Sequence, residues 1–212
     1  SGSEMGKGNL GHRPSIITSI HSDNNGLTWE RGDIVCRHND SIGDNTLINP
    51  SETIPVQLND GSVMLNIRSE SEIDRRLIAV SPDGSTNWTI RGFDNALLEP
   101  VCMASIIKSN QLNDKDTNDI LFINPDNLEN ITHPLGHLNE NDRKRLTVKL
   151  SLDDAKTWPI SKVIEEGPSG YSDVAQLASG DFLCIYECEI IERRCDDKYI
   201  RVSKFNKNWL KE

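Results

Sequence analysis

The sequence predicts an all-β protein, and three observations carry this prediction. Short apolar runs that alternate with polar residues fill the chain from Pro14 onward, a pattern typical of half-buried strands. Almost no segment shows the apolar spacing of an amphipathic helix. One eight-residue phrase occurs three times, at 22–29, 81–88 and 151–158. A phrase that recurs in this way marks a repeated supersecondary unit, and repeats of that kind decide the architecture of a chain.

The repeated phrase predicts a tight hairpin turn. Each copy begins with Ser, carries a small polar or acidic residue third and a small residue fifth, and ends in Trp. A short acidic or amide side chain accepts hydrogen bonds from nearby backbone N–H groups, and a small residue suits a positive φ. The tryptophan is expected to pack its ring under the turn. We therefore expect Trp29, Trp88 and Trp158 to be largely buried at equivalent positions.

The predicted strands follow in chain order around these turns. The first hairpin joins strands at 15–21 and 28–35, and a loop covers 37–50. Two polar stretches, 108–119 and 125–145, are also predicted to be loops, which often carry function. The other predicted strands form groups of four, four and three: 54–58, 63–68, 76–80 and 88–92; 102–107, 120–124, 146–150 and 158–164; and 174–177, 182–187 and 199–205.

Composition narrows the classes of partner. The 212 residues carry a formal net charge of −10, which argues against nucleic acid and anionic membrane surfaces. No apolar run approaches the roughly 18 residues that a membrane-spanning helix needs. The five cysteines lack metal-site spacing. Cys188 and Cys195 either close a hairpin as a disulfide or remain buried thiols.

The repeated phrase resembles the Asp box, Ser-x-Asp-x-Gly-x-Thr-Trp, of sialidases and related β-propellers. Asn24 replaces the Asp of the first copy, and Ser85 and Ala155 replace Gly in the others. Because the Asp box is a structural turn, it indicates fold and not function. The resemblance implies a six-bladed sialidase-type propeller with blades of roughly 40–50 residues. The chain would hold about three to four blades, as a single domain over 1–212 without the N-terminal blades.

Further motifs extend the resemblance to the exo-α-sialidase family over residues 11–210. The segment 52–68 is similar to the family's Asn-Glu-x-Gln-Val-Val-x-Leu-x-Asp-Gly segment, which ends in Leu-Asn-x-Arg. This match places Glu52 on the family's catalytic Glu and Arg68 on a substrate-binding Arg. The segment 99–106 resembles the family's Glu-Pro-x-Cys-x-x-Ser.

The second half of the chain carries the remaining motifs. The segment 143–151 is similar to the family's Arg-x-Asn-Leu-Thr-Val strand and runs into the third repeat. It matches Arg143 to another substrate-binding Arg, with Arg145 as the alternative. Tyr171 lies in a Gly-Tyr-Ser match to the last blade, and 185–187 resembles its Leu-Tyr-Glu.

The chemistry of sialic acid explains these residue types. Its anomeric carbon bears a carboxylate, which guanidinium groups bind in a bidentate manner. Sialidases attack with a Tyr and not a carboxylate, and a neighbouring Glu takes the tyrosine proton. The resemblance implies Glu52 as this base and Tyr199 as the nucleophile. It also implies that Arg68, Arg143 and Tyr171 bind the sugar, and that no metal or cofactor is needed.

The chain departs from the family pattern at three points. Tyr199 stands directly before Ile200, whereas the family's Tyr commonly lies three or four residues before the matching Ile. The Arg-Ile-Pro motif and the early loop that carries the acid/base Asp are both missing. Either the chain is the C-terminal part of a sialidase domain, completed by N-terminal blades or a second copy, or its catalytic apparatus has been lost.

Three functions remain open on the sequence. The first is an exo-α-sialidase acting on sialylated glycans or a related acidic sugar. The second is a non-catalytic propeller that binds an acidic sugar, and the third is a propeller interaction module. The pairing of Glu52 with Arg68 favours the first two. The substrate class implies a secreted, periplasmic or lysosomal setting.

Overall fold

The computed structural model describes residues 13–109, 118–129, 142–188 and 199–212, and the backbone of Gly2–Ser3. These residues are β-structure and loops apart from one short helix, which confirms the predicted all-β class for this part of the chain. The chain divides into two compact units, Ser1–Asn95 and Ala96–Glu212. No helix in the described ranges is long and apolar enough to cross a membrane.

The first unit contains two sheets and a small hairpin, each with its strands in chain order, and the last of these strands continues past Asn95 into the second unit. The strands are β1 (Gly2–Ser3), β2 (Ser15–His21) and β3 (Glu30–Arg37) in one sheet, β4 (Ser41–Ile42) and β5 (Asn45–Thr46) in the hairpin, and β6 (Ser51–Gln57), β7 (Val63–Arg68), β8 (Arg75–Ser81) and β9 (Thr89–Leu98) in the other sheet. The core consists of inward-facing residues from these strands and from Leu47, including Ile17, Cys36, Leu65, Ile67, Leu77 and Ala79.

The second unit is built on one antiparallel sheet of six strands in chain order. These are β10 (Ser105–Lys108), β11 (Ile120–Pro125), β12 (Lys144–Ser151), β13 (Ile160–Gln176), β14 (Phe182–Cys188) and β15 (Tyr199–Phe205), followed by helix α1 (Lys207–Lys211). The core is formed by alternating residues of β11 to β15, including Leu121, Ile123, Leu146, Val148, Phe182 and Cys184.

Strand β13 is a correction to the sequence prediction, which placed separate strands at 158–164 and 174–177. The structure has one strand of 17 residues. Its first half pairs with β12 and its second half with β14, with a register shift between Ser169 and Ser172. The intervening Gly-Pro-Ser-Gly stretch lacks apolar alternation, yet the backbone bends at this irregularity without leaving the sheet.

Two further elements were missed. The predicted loop 37–50 contains the β4–β5 hairpin, whose two-residue strands are too short to produce a periodic signal. Helix α1 is likewise short, and the Asn206 side chain caps it by accepting the N–H of Trp209 at 3.0 Å. Much of the predicted loops 108–119 and 125–145 lies outside the described residues, as does Cys195 of the proposed disulfide.

The three repeated turns contain the same kinds of hydrogen bond, as predicted, although the bonds span four residues in the first and third copies and three in the second. In each, the opening serine hydroxyl accepts a backbone N–H from within the turn. The third residue accepts the backbone N–H of the threonine that follows: Thr28 donates to Asn24 at 2.9 Å, Thr86 to Asp83 at 2.7 Å and Thr157 to Asp153 at 2.8 Å. Asn therefore replaces Asp in the first turn without loss of this bond.

The tryptophans of the turns are not equally buried. Trp88 packs against the core of the first unit, and the Trp158 ring lies 5.9 Å from that of Phe122. Trp29 is 60% exposed, so its predicted burial was wrong. Its indole N–H donates to the Gly26 carbonyl at 3.2 Å, so the ring rests on its own turn with little else over it.

Candidate functional site

Strands β6 and β7 bring Glu52 and Arg68 together in the first unit. Ser51 pairs with Arg68 and Thr53 with Ile67, so the register shift between these pairs leaves Glu52 as the extra residue. Such a bulge re-aims a side chain. Arg68 Nη1 donates to Glu52 Oε2. The Arg68 side chain is 6% exposed and that of Glu52 35%, so the carboxylate is the part of the pair that faces solvent.

A second arginine supports the end of β7. Arg76 is fully buried, and its Nε donates to Asn66 Oδ1 at 2.6 Å while Nη2 donates to the Asn66 carbonyl at 3.3 Å. Asn66 and Arg68 lie two residues apart and so point to the same face of β7. Arg76 therefore anchors the strand end from which Arg68 projects. The sequence prediction missed it because an Arg at the start of an apolar strand looks like a surface charge.

Arg13 forms an ion pair with Glu70 in the first unit. Its Nε donates to Glu70 Oε1 at 2.8 Å, and Asn49 Nδ2 donates to Glu70 Oε2 at 2.9 Å. Glu70 follows Arg68 by two residues. One oxygen of this carboxylate thus joins the segment before β2 to the chain after β7, and the other joins the loop before β6 to it.

In the second unit the structure brings Arg143 and Tyr171 together. Arg143 Nη2 donates to the Val101 carbonyl at 2.6 Å. The guanidinium carbon lies 5.6 Å from the centroid of the Tyr171 ring, which is the distance range of a cation–π contact. The Arg143 carbonyl also accepts the N–H of Ser169 at 2.9 Å. This pair can offer a cation and a phenol to an acidic ligand.

The Tyr171 backbone is held from strand β14. Its N–H donates to Glu187 Oε2 at 3.3 Å. A Cβ added to the preceding Gly170 would lie 2.4 Å from that oxygen, so the carboxylate occupies the space that a side chain would need. The Gly-Tyr-Ser motif therefore has a local reason for its glycine, and Glu187 is a contact that the motif alone did not predict.

The other predicted residues lie elsewhere in the second unit. Tyr199 begins β15, pairs with Cys188 in the sheet and is 57% exposed. Arg145 is exposed and has a positive φ of 61°, at the irregular start of β12. No contact joins either residue to Arg143 or Tyr171 among those that the described part of the chain shows.

Two cysteines are poor nucleophiles in the folded protein. Burial raises the pKa of the Cys36 thiol to about 12, and the Asp40 carboxylate adds to the effect. Burial likewise raises the pKa of Cys184 to about 12, with a contribution from Asp173. Because the thiolate is the reactive form, neither side chain suits covalent catalysis at neutral pH.

Comparison with known proteins adds family and fold information. Residues 9–184 match the model of the BNR repeat-like domain. A sialidase from Micromonospora viridifaciens is 30% identical over 195 residues, which covers 91% of this chain and 25% of that protein. The chain thus spans about a quarter of the length of the curated relatives it matches.

Solved structures resemble the chain over most of its length. The NanB sialidase from Streptococcus pneumoniae, in complex with 2-[(3-chlorobenzyl)ammonio]ethanesulfonate, has a TM-score of 0.68 and 18% identity, covering 93% of this chain and 28% of that one. The intramolecular trans-sialidase from Ruminococcus gnavus, in complex with oseltamivir carboxylate, has a TM-score of 0.67 and 20% identity, covering 91% and 38%. These likenesses support a β-propeller-type fold.

Proposed function

The chain belongs to the BNR repeat-like domain family, and we propose that it is part of an exo-α-sialidase. The fold would be a six-bladed propeller, of which this chain supplies about three to four blades. The observation that carries the proposal is the Glu52–Arg68 pair, in which a strand bulge directs a carboxylate to a buried guanidinium. Relatives named as sialidases support the same activity.

Each residue has a role that follows from its chemistry. Arg68 and Arg143 bind the sugar carboxylate, since guanidinium groups match its planar geometry. A tyrosine oxygen attacks the anomeric carbon, the glycosidic C–O bond breaks, and Glu52 accepts the tyrosine proton. Water then releases the sugar from the tyrosyl intermediate. An acid must protonate the leaving oxygen, and this chain offers no motif match for it.

The nucleophile is a choice between two tyrosines. Tyr199 is the sequence prediction, but its place on the exposed strand β15 gives it no described contact with a sugar-binding arginine. Tyr171 lies under Arg143, whose positive charge would stabilise a phenolate. The contacts therefore favour Tyr171 as the attacking group, with Tyr199→Phe as the matched comparison.

Hydrolysis of a fluorogenic α-sialoside by the protein that contains this chain tests the proposal. Glu52→Gln should lower kcat by about 10²–10⁴-fold, the usual contribution of proton transfer, with a smaller change in KM. The control Glu72→Gln removes an exposed carboxylate of the same unit and should leave both constants unchanged. Tyr171→Phe should abolish turnover if Tyr171 attacks, whereas loss of turnover only in Tyr199→Phe would identify Tyr199 as the nucleophile.

A non-catalytic acidic-sugar-binding propeller is the second candidate. The Arg143–Tyr171 pair is sufficient for it, because this contact suits binding of an acidic sugar without requiring catalysis. In that case the protein would bind sialic acid without cleaving the sialoside, and Glu52→Gln would change nothing but affinity. Analysis of the released sugar separates hydrolysis from intramolecular transfer, the reaction named for the Ruminococcus gnavus neighbour.

A further inference from the structure

The Arg143 side chain contacts a short segment that follows strand β9. The Val101 carbonyl accepts the Arg143 Nη2 hydrogen bond at 2.6 Å, and the guanidinium carbon lies 5.6 Å from the centroid of the Tyr171 ring. A guanidinium on a long, flexible side chain needs such fixed partners if it is to present one edge to a carboxylate. The position of the Val101 carbonyl therefore matters for what Arg143 can bind.

The backbone at Val101 is in an unfavourable conformation. Its φ is +58°, in the left-handed region, where a β-branched residue is a genuine outlier. Strain of this kind persists only where the surroundings hold it, and it concentrates at functional sites. Val101 is 3% exposed, so its side chain is packed in place while its carbonyl is turned to Arg143.

The Glu99 side chain holds the same segment through a hydrogen bond to its backbone. It is fully buried, and its Oε1 accepts the backbone N–H of Cys102 at 3.0 Å. This bond closes the turn from Glu99 to Cys102 around Val101. Burial of a carboxylate is unfavourable in free energy unless hydrogen bonds replace the water that it loses. The burial of Glu99 therefore indicates that this turn must keep a particular conformation.

We propose that Glu99 and Val101 are positioning residues for Arg143. Glu99 fixes a turn in which Val101 adopts a left-handed conformation, the Val101 carbonyl orients the guanidinium over Tyr171, and Arg143 is thereby preorganised for the sugar carboxylate. The inference rests on the proposed function and deepens it, since it assigns the segment that determines how well the carboxylate is held.

A double-mutant cycle with Arg143→Ala tests the proposal. The probes are a methyl α-sialoside with a free carboxylate and its carboxyl methyl ester, with affinity measured by calorimetry on the protein that contains this chain. Arg143→Ala and Glu99→Ala should each weaken binding of the acid by about tenfold or more, the effect of one charge-assisted hydrogen bond. Binding of the ester should change little. In the Arg143→Ala background, Glu99→Ala should add less than about twofold, since coupled residues are non-additive.

Two milder variants test the proposal even if Glu99→Ala does not fold. Glu99→Gln keeps an oxygen that can accept the Cys102 N–H and should retain the affinity of the unmodified protein within about threefold. Val101→Gly accepts the same positive φ without strain but frees the turn, so it should weaken acid binding several-fold, again only when Arg143 is present.

The outcomes distinguish the assignment of Arg143 to the sugar carboxylate from the positioning role of Glu99 and Val101. If Arg143→Ala does not selectively weaken acid binding, the assignment of Arg143 to the carboxylate fails, and the inference fails with it. If Arg143→Ala weakens binding but the losses from Glu99→Ala and Val101→Gly persist in its absence, only the positioning role is overturned.

Discussion

At the scale of single residues, the acidic side chains of the repeated turns act as local hydrogen-bond acceptors. Asp153 accepts from the Thr157 hydroxyl at 2.7 Å and from its N–H at 2.8 Å. These bonds, the hydroxyl bond first, lower the pKa of Asp153 below its usual range. The hydroxyl bond from Thr86 lowers the pKa of Asp83 in the same way. Both carboxylates serve the turn and not chemistry on a substrate.

The first prediction concerns Asp153. Asn24 already fills this place in the first turn, so Asp153→Asn should cost little stability. Asp153→Ala loses the acceptor and should lower Tm by about 2–4 °C. Because the folded-state pKa lies below the unfolded value, the carboxylate's contribution is complete above about pH 4 and is lost as pH falls through the folded value. Thermal melts from pH 7 to pH 3 should therefore show a steeper loss for the unmodified chain than for Asp153→Asn.

A second prediction follows from Ala155. It has a φ of +62°, although Gly occupies the left-handed position of the first turn at Gly26. An L-residue with a Cβ pays about 1 kcal/mol or more in this region, so Ala155→Gly should stabilise the protein by up to roughly that amount. Ala175→Gly, at an exposed position within β13, should instead destabilise it. Denaturant unfolding of both variants measures the two signs, and a loss of stability in Ala155→Gly would contradict the argument.

At the scale of secondary structure, periodicity predicted the strands and missed what depends on tertiary contact. The bounds of β2, β7 and β15 were correct, since clear turn or loop signals flank each run. The join within β13 could not be predicted, because its Gly-Pro-Ser-Gly stretch reads as a break, yet β12 and β14 pair with its two halves.

The candidate site residues also divide into those that the sequence predicted and those that only the structure reveals. Motif spacing found Glu52 and Arg68, which the β6–β7 hairpin pairs, and found Arg143 and Tyr171 separately. It did not reveal Arg76, whose burial makes it a support. The sequence motifs identify which residues are present. The direction in which a bulge or a strained peptide turns a side chain or a carbonyl depends on the folded sheet.

The third prediction tests the place where β13 changes partner. Gly170→Ala should push the Glu187 carboxylate off the Tyr171 N–H, since the new Cβ would lie 2.4 Å from Oε2. Glu187 ends in a flexible carboxylate, so we expect a small loss of stability but a several-fold weaker affinity for the sialoside. Gly167→Ala is the control, because its Cβ would meet Glu165 Oε1 only at 3.4 Å. Equal affinities in the two variants would remove Glu187 from the support of Tyr171.

At the scale of the whole molecule, an apolar face on the last hairpin bears on what completes the fold. Ile185 and Val202 are paired across β14 and β15, and Ile200 lies two residues from Val202, so the three share one face. They are 47%, 61% and 62% exposed. Contiguous exposed apolar residues on an edge hairpin commonly mark an interface. This supports the proposal that further blades or a second copy cover this face. Sedimentation of the 212-residue chain should therefore show self-association, which charged substitutions at Ile200 and Val202 should reduce.

The last prediction concerns the activity of the chain by itself. The chain spans about a quarter of its curated relatives and has no match for the Arg-Ile-Pro motif or the loop with the acid/base Asp. We expect the 212-residue chain to show little or no turnover of a fluorogenic sialoside, because general acid catalysis alone contributes about 10²–10⁴-fold. Expression together with any residues that its gene encodes before Ser1 should raise turnover to enzymatic rates. That gain should disappear in Glu52→Gln. Turnover at enzymatic rates by the short chain would mean that its own residues supply the acid, and the assignment of that role would then have to be sought among them.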